Sequence, residues 1–372
     1  MPNESPVVTV IIPSFNHAQF IKETILSVIN QDYKKIELLI IDDGSSDASV
    51  EVIQRLSELC HARFVRFQTR YRENKGLCAT LNEALDWSRG KYFAPIASDD
   101  VLLQHKTSFL VEKLETTNHN AAFGVMREIG AIVNNKMKLN RVLTHTFSDL
   151  MRHINMPNAP GAMILTSKLK EIGGYPENIK IEDWYMWLKL TEKGEVLRTY
   201  PEEVALYRRH EDNTSSKLWL MHTNRVKVLS FFSDSKDYKI ALSKINVLFF
   251  RDVVNANQSS LCKEASLEYK RLYDKVSEQV LALAEKHSNI AVYGFGTIGN
   301  IIINILGRDC LVFDKSTALH NADKNIFPPE HLINYQIDRL VLASVGYEDK
   351  VIAKLIANNL IARKKIVQLD FL

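Results

Sequence analysis

No stretch of this 372-residue sequence approaches 18 uninterrupted apolar residues, so a transmembrane helix is not expected. Cysteine is scarce: Cys60, Cys78, Cys262 and Cys310 are scattered and form no CxxC pair. That pattern argues for reduced, structural thiols in a cytoplasmic protein. The opening residues, MPNESPVVTV, lack the basic and apolar regions of a signal peptide. A charge excess is missing too. The formal net charge of +3 is too small to argue for nucleic acid, although a local basic surface can still meet an anionic membrane. Between Gly194 and Gly294 there is no glycine at all, which favours helices over turn-rich structure in that span.

What is present is ordinary for a soluble globular protein: 46% hydrophobic and 24% charged residues, in a chain long enough for two or three domains. Three segments stand out. In the first, residues 1–215, strands and helices alternate from about residue 6. Residues 7–12 (VVTVII) read as a buried strand broken by Pro13, 20–30 as a helix, and 36–41 (IELLII) as a second strand. A helix carrying Val50, Ile53 and Leu56 follows, then a third strand at 63–67, a helix at 77–88 and a fourth strand at 92–96. Such alternation predicts a mostly parallel α/β sheet.

The second segment, 216–288, reads as a helical connector in which Lys217, Arg225, Lys227 and Lys244 alternate with Trp219, Phe231, Phe232, Phe249 and Phe250. A basic amphipathic helix can lie on an anionic membrane, or it can pack its aromatics onto its own domains. The third segment, 289–372, opens with IAVYGFGTIGNIIINIL: strand, Gly294-x-Gly296-x-x-Gly299, helix. Asp314 then ends the next strand, twenty residues after Gly294. This is the dinucleotide fingerprint in its strand–turn–helix context, including an acid able to meet a ribose. A Rossmann-like module kept for packing or partner contact is the competing reading.

Ligands of open α/β sheets sit beyond the carboxyl ends of the strands. Polar residues fall there three times: Ser14 and Asn16 after strand one, Asp42 and Asp43 after strand two, Asp99 and Asp100 after strand four. The last pair ends the apolar run in KYFAPIASDDVLL, where two adjacent carboxylates repel unless something compensates. A helix cap is one explanation and a divalent-metal site the other.

The first segment resembles the family 2 glycosyltransferases of the GT-A fold. Its pieces occur in that family's order: VTVIIPSFNHAQFIKETILSVINQDY, IELLIIDDGSSD, ENKG with TLNEAL, GKYFAPIASDD, EIGGYPE, IEDWYMWLKL and YRRHEDNTS. The look is that of bacterial O-antigen or capsule enzymes. The fold implied is α/β: a GT-A nucleotide-sugar-binding domain, the helical connector, and a small C-terminal Rossmann-like domain. The activity implied is inverting transfer from a nucleotide-diphosphate sugar, UDP-linked first of all, with Mn²⁺ or Mg²⁺, to a hydroxyl of a glycan acceptor. A lipid-linked acceptor would put the enzyme at the inner face of the cell membrane. By the resemblance Pro13 and Phe15 flank the base, Asp43 binds its ring N–H, and Asn74 and Lys75 approach the nucleotide. Asp99 matches the second aspartate of the DxD motif, whose first aspartate is Ala97 here. Asp100 would support ribose, metal or sugar, and His210 would contact the metal or diphosphate. Asp183 fits the general base, with Glu182 in support, although acids opening a helix also complement its dipole. Asn158, Pro160 and Gly161 are candidates for the acceptor pocket.

Other classes fit less well. A nucleotidyltransferase would carry a glycine-rich phosphate loop after the first strand, where this chain has IIPSFNHAQF. A short-chain oxidoreductase or epimerase would place Tyr-x-x-x-Lys after the glycine fingerprint, yet Tyr185 and Lys189 precede it. A non-catalytic nucleotide-sugar sensor would have no use for the base. The C-terminal module is left with three roles: a second nucleotide, regulation, or dimerisation.

Overall fold

The computed structural model describes residues 5–130, 139–210, 213, 217–255, 262–307, 310–320, 325–343 and 348–372. Two compact units account for the chain: Met1–Met151 with Asn155–Ser216, and Arg152–Ile154 with Lys217–Leu372.

In the first unit β1 (Val8–Ser14), α1 (Ile21–Ile29), β2 (Ile36–Asp42), α2 (Ser49–Arg55), α3 (Ser57–Arg63), β3 (Arg66–Tyr71), α4 (Leu77–Trp87) and β4 (Tyr92–Pro95) alternate as expected. There follow β5 (Val101–Leu102), α5 (Lys106–Thr117), β6 (Ala121–Gly130), β7 (Leu143–His145), α6 (Phe147–Met151), β8 (Ala162–Leu165), α7 (Thr166–Glu171), α8 (Glu182–Thr191) and β9 (Leu197–Arg209). The sheet order is β3-β2-β1-β4-β8-β6-β9-β5, with β7 on β9. Strands β3, β2, β1 and β4 are mutually parallel. Covered on both faces, β2 is buried at every residue, hence its unbroken apolar run. Within that run Glu37 accepts from Thr9, from Arg66 and from the Arg89 amide, so the buried carboxylate is met within the protein.

Two boundaries differ from the sequence reading. Pro13 does not break the first strand: β1 continues to Ser14 in register with Asp42. The Ile11 carbonyl accepts from Ile96 on the β4 side, and the Ser14 carbonyl accepts from Asp43 on the β2 side. By alternation Pro13 faces the β4 side, where pairing has ended at Ile11–Pro95, so its missing N–H leaves no gap. The third strand starts at Arg66, not at 63. Arg63 instead closes α3 and donates to the carbonyls of Ile29, Gln31 and Tyr33, a demand that strand propensity cannot reveal.

The contact that builds the site is made by β9. Its antiparallel register with β5 pairs Val101 with Leu206. The residues just before β5, Asp99 and Asp100, are thereby set against those just after Leu206, Arg208 to His210.

In the second unit α9 (Leu218–Ser230), α10 (Tyr238–Asn255) and α11 (Lys263–Lys286) precede β10 (Ile290–Tyr293), α12 (Thr297–Leu306), β11 (Leu311–Phe313), β12 (Ile326–Phe327), β13 (Arg339–Leu342), α13 (Glu348–Ala357) and β14 (Ile366–Gln368). The strands form a wholly parallel sheet, β12-β11-β10-β13-β14. Phe249, Phe250, Leu272, Val276 and Val280 share one core with Val292, Ile298 and Ile302, so the helical segment and the sheet pack together. Of the segment's aromatics, Phe232, Phe249 and Phe250 are buried, and Trp219 lies against His222 and Phe249. Phe249, Phe250 and Trp219 serve that core. Among the described residues no helix is long and apolar enough to cross a membrane.

The glycine fingerprint has a packing job. A Cβ on Gly299 would sit 2.0 Å from the Gly294 carbonyl, whereas one on Gly296 would meet nothing within 4 Å. Gly299→Ala is therefore expected to destabilise this unit by roughly 1–3 kcal/mol, with Gly296→Ala costing well under 1 kcal/mol. Hydrogen exchange across residues 290–306 measures both. Equal effects would show that strand–helix contact is not what Gly299 provides.

Candidate active site

The carboxyl edge of β1, β2 and β4 is assembled by hydrogen bonds between its three loops. Asp42 ends β2 buried and accepts from the Ser14 hydroxyl at 2.8 Å, and from the amide and hydroxyl of Ser45 at 2.8 and 2.7 Å. Asn16, in the left-handed region at φ 53°, donates its amide to Ser45 and accepts from the Ser46 amide. Phe15 stays 46% exposed at the tip of β1, with Pro13 partly exposed beside it.

Asp43 is 5% exposed and tied to the loop before α4. Oδ1 accepts from Arg72 and from the Lys75 amide at 2.8 Å, and Oδ2 accepts from the Gly76 amide at 2.7 Å. Oδ2 retains one further acceptor position, since a carboxylate offers about four. Gly44, at φ 82°, lets this loop approach: a Cβ there would stand 2.9 Å from the Asn74 amide nitrogen. Asn74 and Lys75 are thus held next to Asp43, as the sequence reading grouped them.

Asp99 is the centre of a second constellation. His210 Nε2 lies 2.9 Å from Asp99 Oδ2, and Asn213 Nδ2 lies 3.1 Å from the same imidazole nitrogen. His17 Nδ1 stands 4.0 Å from Asp99 Oδ1 and 2.8 Å from the Ser98 hydroxyl. Ligand atoms from His17, Asp99 and His210 all fall within 4.8 Å of one another, a grouping that can hold a metal ion. The ring of Phe20 packs against both imidazoles, at 5.9 and 5.1 Å between centroids. Arg208 fastens the group from behind: its amide donates to Asp100 Oδ1 at 2.9 Å, and its Nε donates to the Asp99 carbonyl at 2.9 Å. Its other arm pairs with Glu23, and Arg209 pairs with Glu128, so both arginines have protein partners.

Asp100 turns inward. It is 1% exposed, and burial first, then the Asp99 charge, pushes its carboxyl up to about 8. Fully buried Lys106 is drawn down to about 7 by burial, against the pull of Asp100. A cavity of about 450 Å³ lies elsewhere, lined by Glu23, Leu26, Ser27 and residues 101–104, and includes none of the expected site residues.

Comparison with known proteins now bears on this edge. The model of the Glycosyl transferase family 2 matches residues 9–172. An uncharacterised glycosyltransferase of Haemophilus influenzae is 32% identical over 228 residues, spanning 57% of this chain and 68% of that one. The chain belongs to glycosyl transferase family 2. A putative teichuronic acid biosynthesis glycosyltransferase of Bacillus subtilis, TuaG, is 26% identical over 228 residues, covering 59% of this chain and 85% of its own. Among solved structures, Staphylococcus aureus TarS 1–349 in complex with UDP-GlcNAc superimposes with a TM-score of 0.55 at 14% identity, over 75% of this chain and 82% of that one. That likeness shows the GT-A fold. The protein is a glycosyltransferase, and the expected fold class holds.

In this glycosyltransferase the two acids read as base and helper open α8. Trp184 and Trp187 anchor that helix: Trp184 Nε1 donates to the Leu150 carbonyl at 2.9 Å, and Trp187 meets Phe123 edge-on at 4.7 Å. Asp183 Oδ1 accepts from the Trp184 amide at 2.6 Å, an N-terminal contact that also suits the helix dipole. Glu182 is part-buried among Tyr175 and Cys78, whose own ionisation its charge opposes. Lys180 Nζ reaches within 3.7 Å of where a side chain on Gly76 would begin, so this end borders the loop that grips Asp43.

Pro160 and Gly161 are buried, and a Cβ on Gly161 would strike the Gly124 carbonyl at 2.4 Å, so they serve the packing of β6. Asp314, after β11, accepts from the Phe295 and Ser316 amides. The sequence reading missed His17 and Asn213. His17 sits in the loop after β1, on the same carboxyl edge as the residues it singled out, and the missing acid at Ala97 was the signal to look for a substitute.

The Glu182 carboxyl is pushed up to about 8, by burial first and then by the Asp183 charge. The folded protein thus holds a proton there that an unfolded carboxyl, near pKa 4.5, releases. Stability falls as pH rises through that window. Glu182→Gln removes the dependence, so its thermal midpoint should exceed that of wild type by roughly 2–4 °C at pH 8 and match it near pH 4.5. A difference that does not change with pH would refute the assignment.

Proposed function

We propose that the protein is an inverting, metal-dependent glycosyltransferase that moves a sugar from a nucleotide-diphosphate donor, UDP-linked first of all, to a hydroxyl of a glycan acceptor in surface-polysaccharide assembly. One observation carries the reading. Asp99, its neighbour Ala97 lacking an acid, faces His210 and His17 at the carboxyl edge of the sheet, with donors suited to a divalent ion. The UDP-GlcNAc complex of TarS supports a nucleotide-sugar donor, and TuaG, named for teichuronic acid biosynthesis, supports a cell-surface glycan as product. The acceptor we favour is lipid-linked, which places the enzyme in the cytoplasm with peripheral contact at the membrane.

The residues divide the labour. Pro13 and the exposed ring of Phe15 flank the base, and the remaining acceptor position of Asp43 Oδ2 takes its ring N–H. Asn74 and Lys75 line the nucleotide, with Lys75 held by its own amide on Asp43. Asp99 and His210 would hold Mn²⁺ or Mg²⁺, an ion that when bound would supply charge neutralisation for the departing diphosphate. Asp100, buried beneath, keeps β9 in place through the Arg208 amide. Asp183 takes the proton of the acceptor hydroxyl as that oxygen attacks the anomeric carbon opposite the leaving group, inverting it. Glu182, protonated at neutral pH, keeps a second negative charge away from the base.

The test is transfer and donor hydrolysis across UDP-, GDP- and dTDP-sugars, with and without Mn²⁺. One donor should turn over in a metal-dependent manner, with inverted product. Asp183→Asn should lower transfer by about 10²–10⁴-fold with donor binding retained. Asp99→Ala should abolish the metal dependence. Full transfer by Asp183→Asn would remove the base from this account.

A further inference from the structure

We propose that His17 is a metal ligand, completing a His17–Asp99–His210 site that selects a first-row transition ion over Mg²⁺. The inference rests on the metal-dependent reading above and concerns which residues hold the ion and which ion they prefer.

The family pattern has an acid where this chain has Ala97, so Asp99 alone represents the carboxylates of that motif. The structure brings a second imidazole to the gap. His17 and His210 stand with ring centroids 5.7 Å apart at 88°, flanking the Asp99 carboxylate from opposite oxygens. Two ligand atoms about 2.1 Å from an ion are about 3.0 Å apart at a right angle and about 4.2 Å apart when opposed. The 2.9 Å between His210 and Asp99 matches the first case, and the 4.0 Å between His17 and Asp99 approaches the second.

Neither imidazole is loosely placed. The His17 amide donates to the Ser49 hydroxyl at 3.0 Å, the next amide donates to Asp47 at 2.9 Å, and Phe20 closes off both rings. The His210 amide donates to Asn213 Oδ1 at 2.8 Å, which turns that residue's Nδ2 towards His210 Nε2. Nε2 thus meets Asp99 Oδ2 at 2.9 Å, and Asn213 Nδ2 lies 3.5 Å from the same oxygen. A cation arriving there would take the place of the proton that His210 and Asp99 share. The bland role for His17 is its bond to the Ser98 hydroxyl, which would pin the loop and make no demand on any ion.

Donor chemistry sets the preference. An all-oxygen site suits Mg²⁺, which holds its water tightly, whereas imidazole nitrogen favours transition ions. Two nitrogens and one carboxylate move the site away from Mg²⁺.

Binding is measured on the full chain without turnover, by electron paramagnetic resonance of Mn²⁺, alone and with inorganic pyrophosphate standing in for the donor's diphosphate. Mn²⁺ should bind at least about tenfold more tightly than Mg²⁺ measured by competition. His17→Ala and His17→Gln should each weaken Mn²⁺ binding by roughly tenfold or more. The electron-spin-echo modulation from coordinated imidazole nitrogen should fall from two rings to one in both variants. Unaltered affinity and two-ring modulation in the variants would overturn the proposal, as would equal affinity for Mg²⁺. Binding of Mn²⁺ through two imidazoles in a chain that transfers no sugar would sink the functional reading and leave this one standing. A working transferase indifferent to His17 would do the reverse.

Discussion

Arg208 is the residue on which the site depends. Its amide is bonded to Asp100, its guanidinium to the Asp99 carbonyl and to Glu23, and its face covers Phe20. Through it the last residues of β9 are locked to the loop that follows β4, more than a hundred positions earlier in the chain. The β5–β9 register sets the approach, and this one side chain holds the distance at which His210 meets Asp99. Without that lock the histidine would be a loop residue after a long strand.

The same edge shows how a sheet can store carboxylates before a ligand arrives. Asp42 and Asp43 are both buried, yet every bond they make is to a hydroxyl, an amide or Arg72, so their cost is met within the protein. Asp99 is treated differently. Its carboxylate faces two imidazoles and an amide group, partners that can rearrange around a cation. Asp100, one residue on, is pushed towards its neutral form by burial and by Asp99. Adjacent identical residues therefore do different work: one turns to the two histidines and the other props the strand beneath it.

Much of this was legible from residue order. The strand–helix alternation through β4, the recurrence of polar residues after three strands, and the acids opening α8 all follow from local periodicity and from adjacency in the chain. What failed locally failed for a tertiary reason. The strand expected at 63–67 begins at Arg66 because Arg63 is claimed by three carbonyls around residues 29–33. Pro13, a strand breaker by propensity, sits where the neighbouring strand has already stopped. The aromatics of the helical segment could have faced a membrane by pattern, and the structure buries most of them against the C-terminal sheet.

By itself the sequence determined the fold class and the family, because apolar period and motif order are properties of the chain read along its length. Tertiary structure alone decided that His17 joins Asp99 and His210, since those three lie 82 and 111 residues apart and meet only through sheet closure and the β9 register. It also decided which of two adjacent aspartates meets the histidines and which meets the Arg208 amide, because partner choice depends on which residues arrive from distant strands.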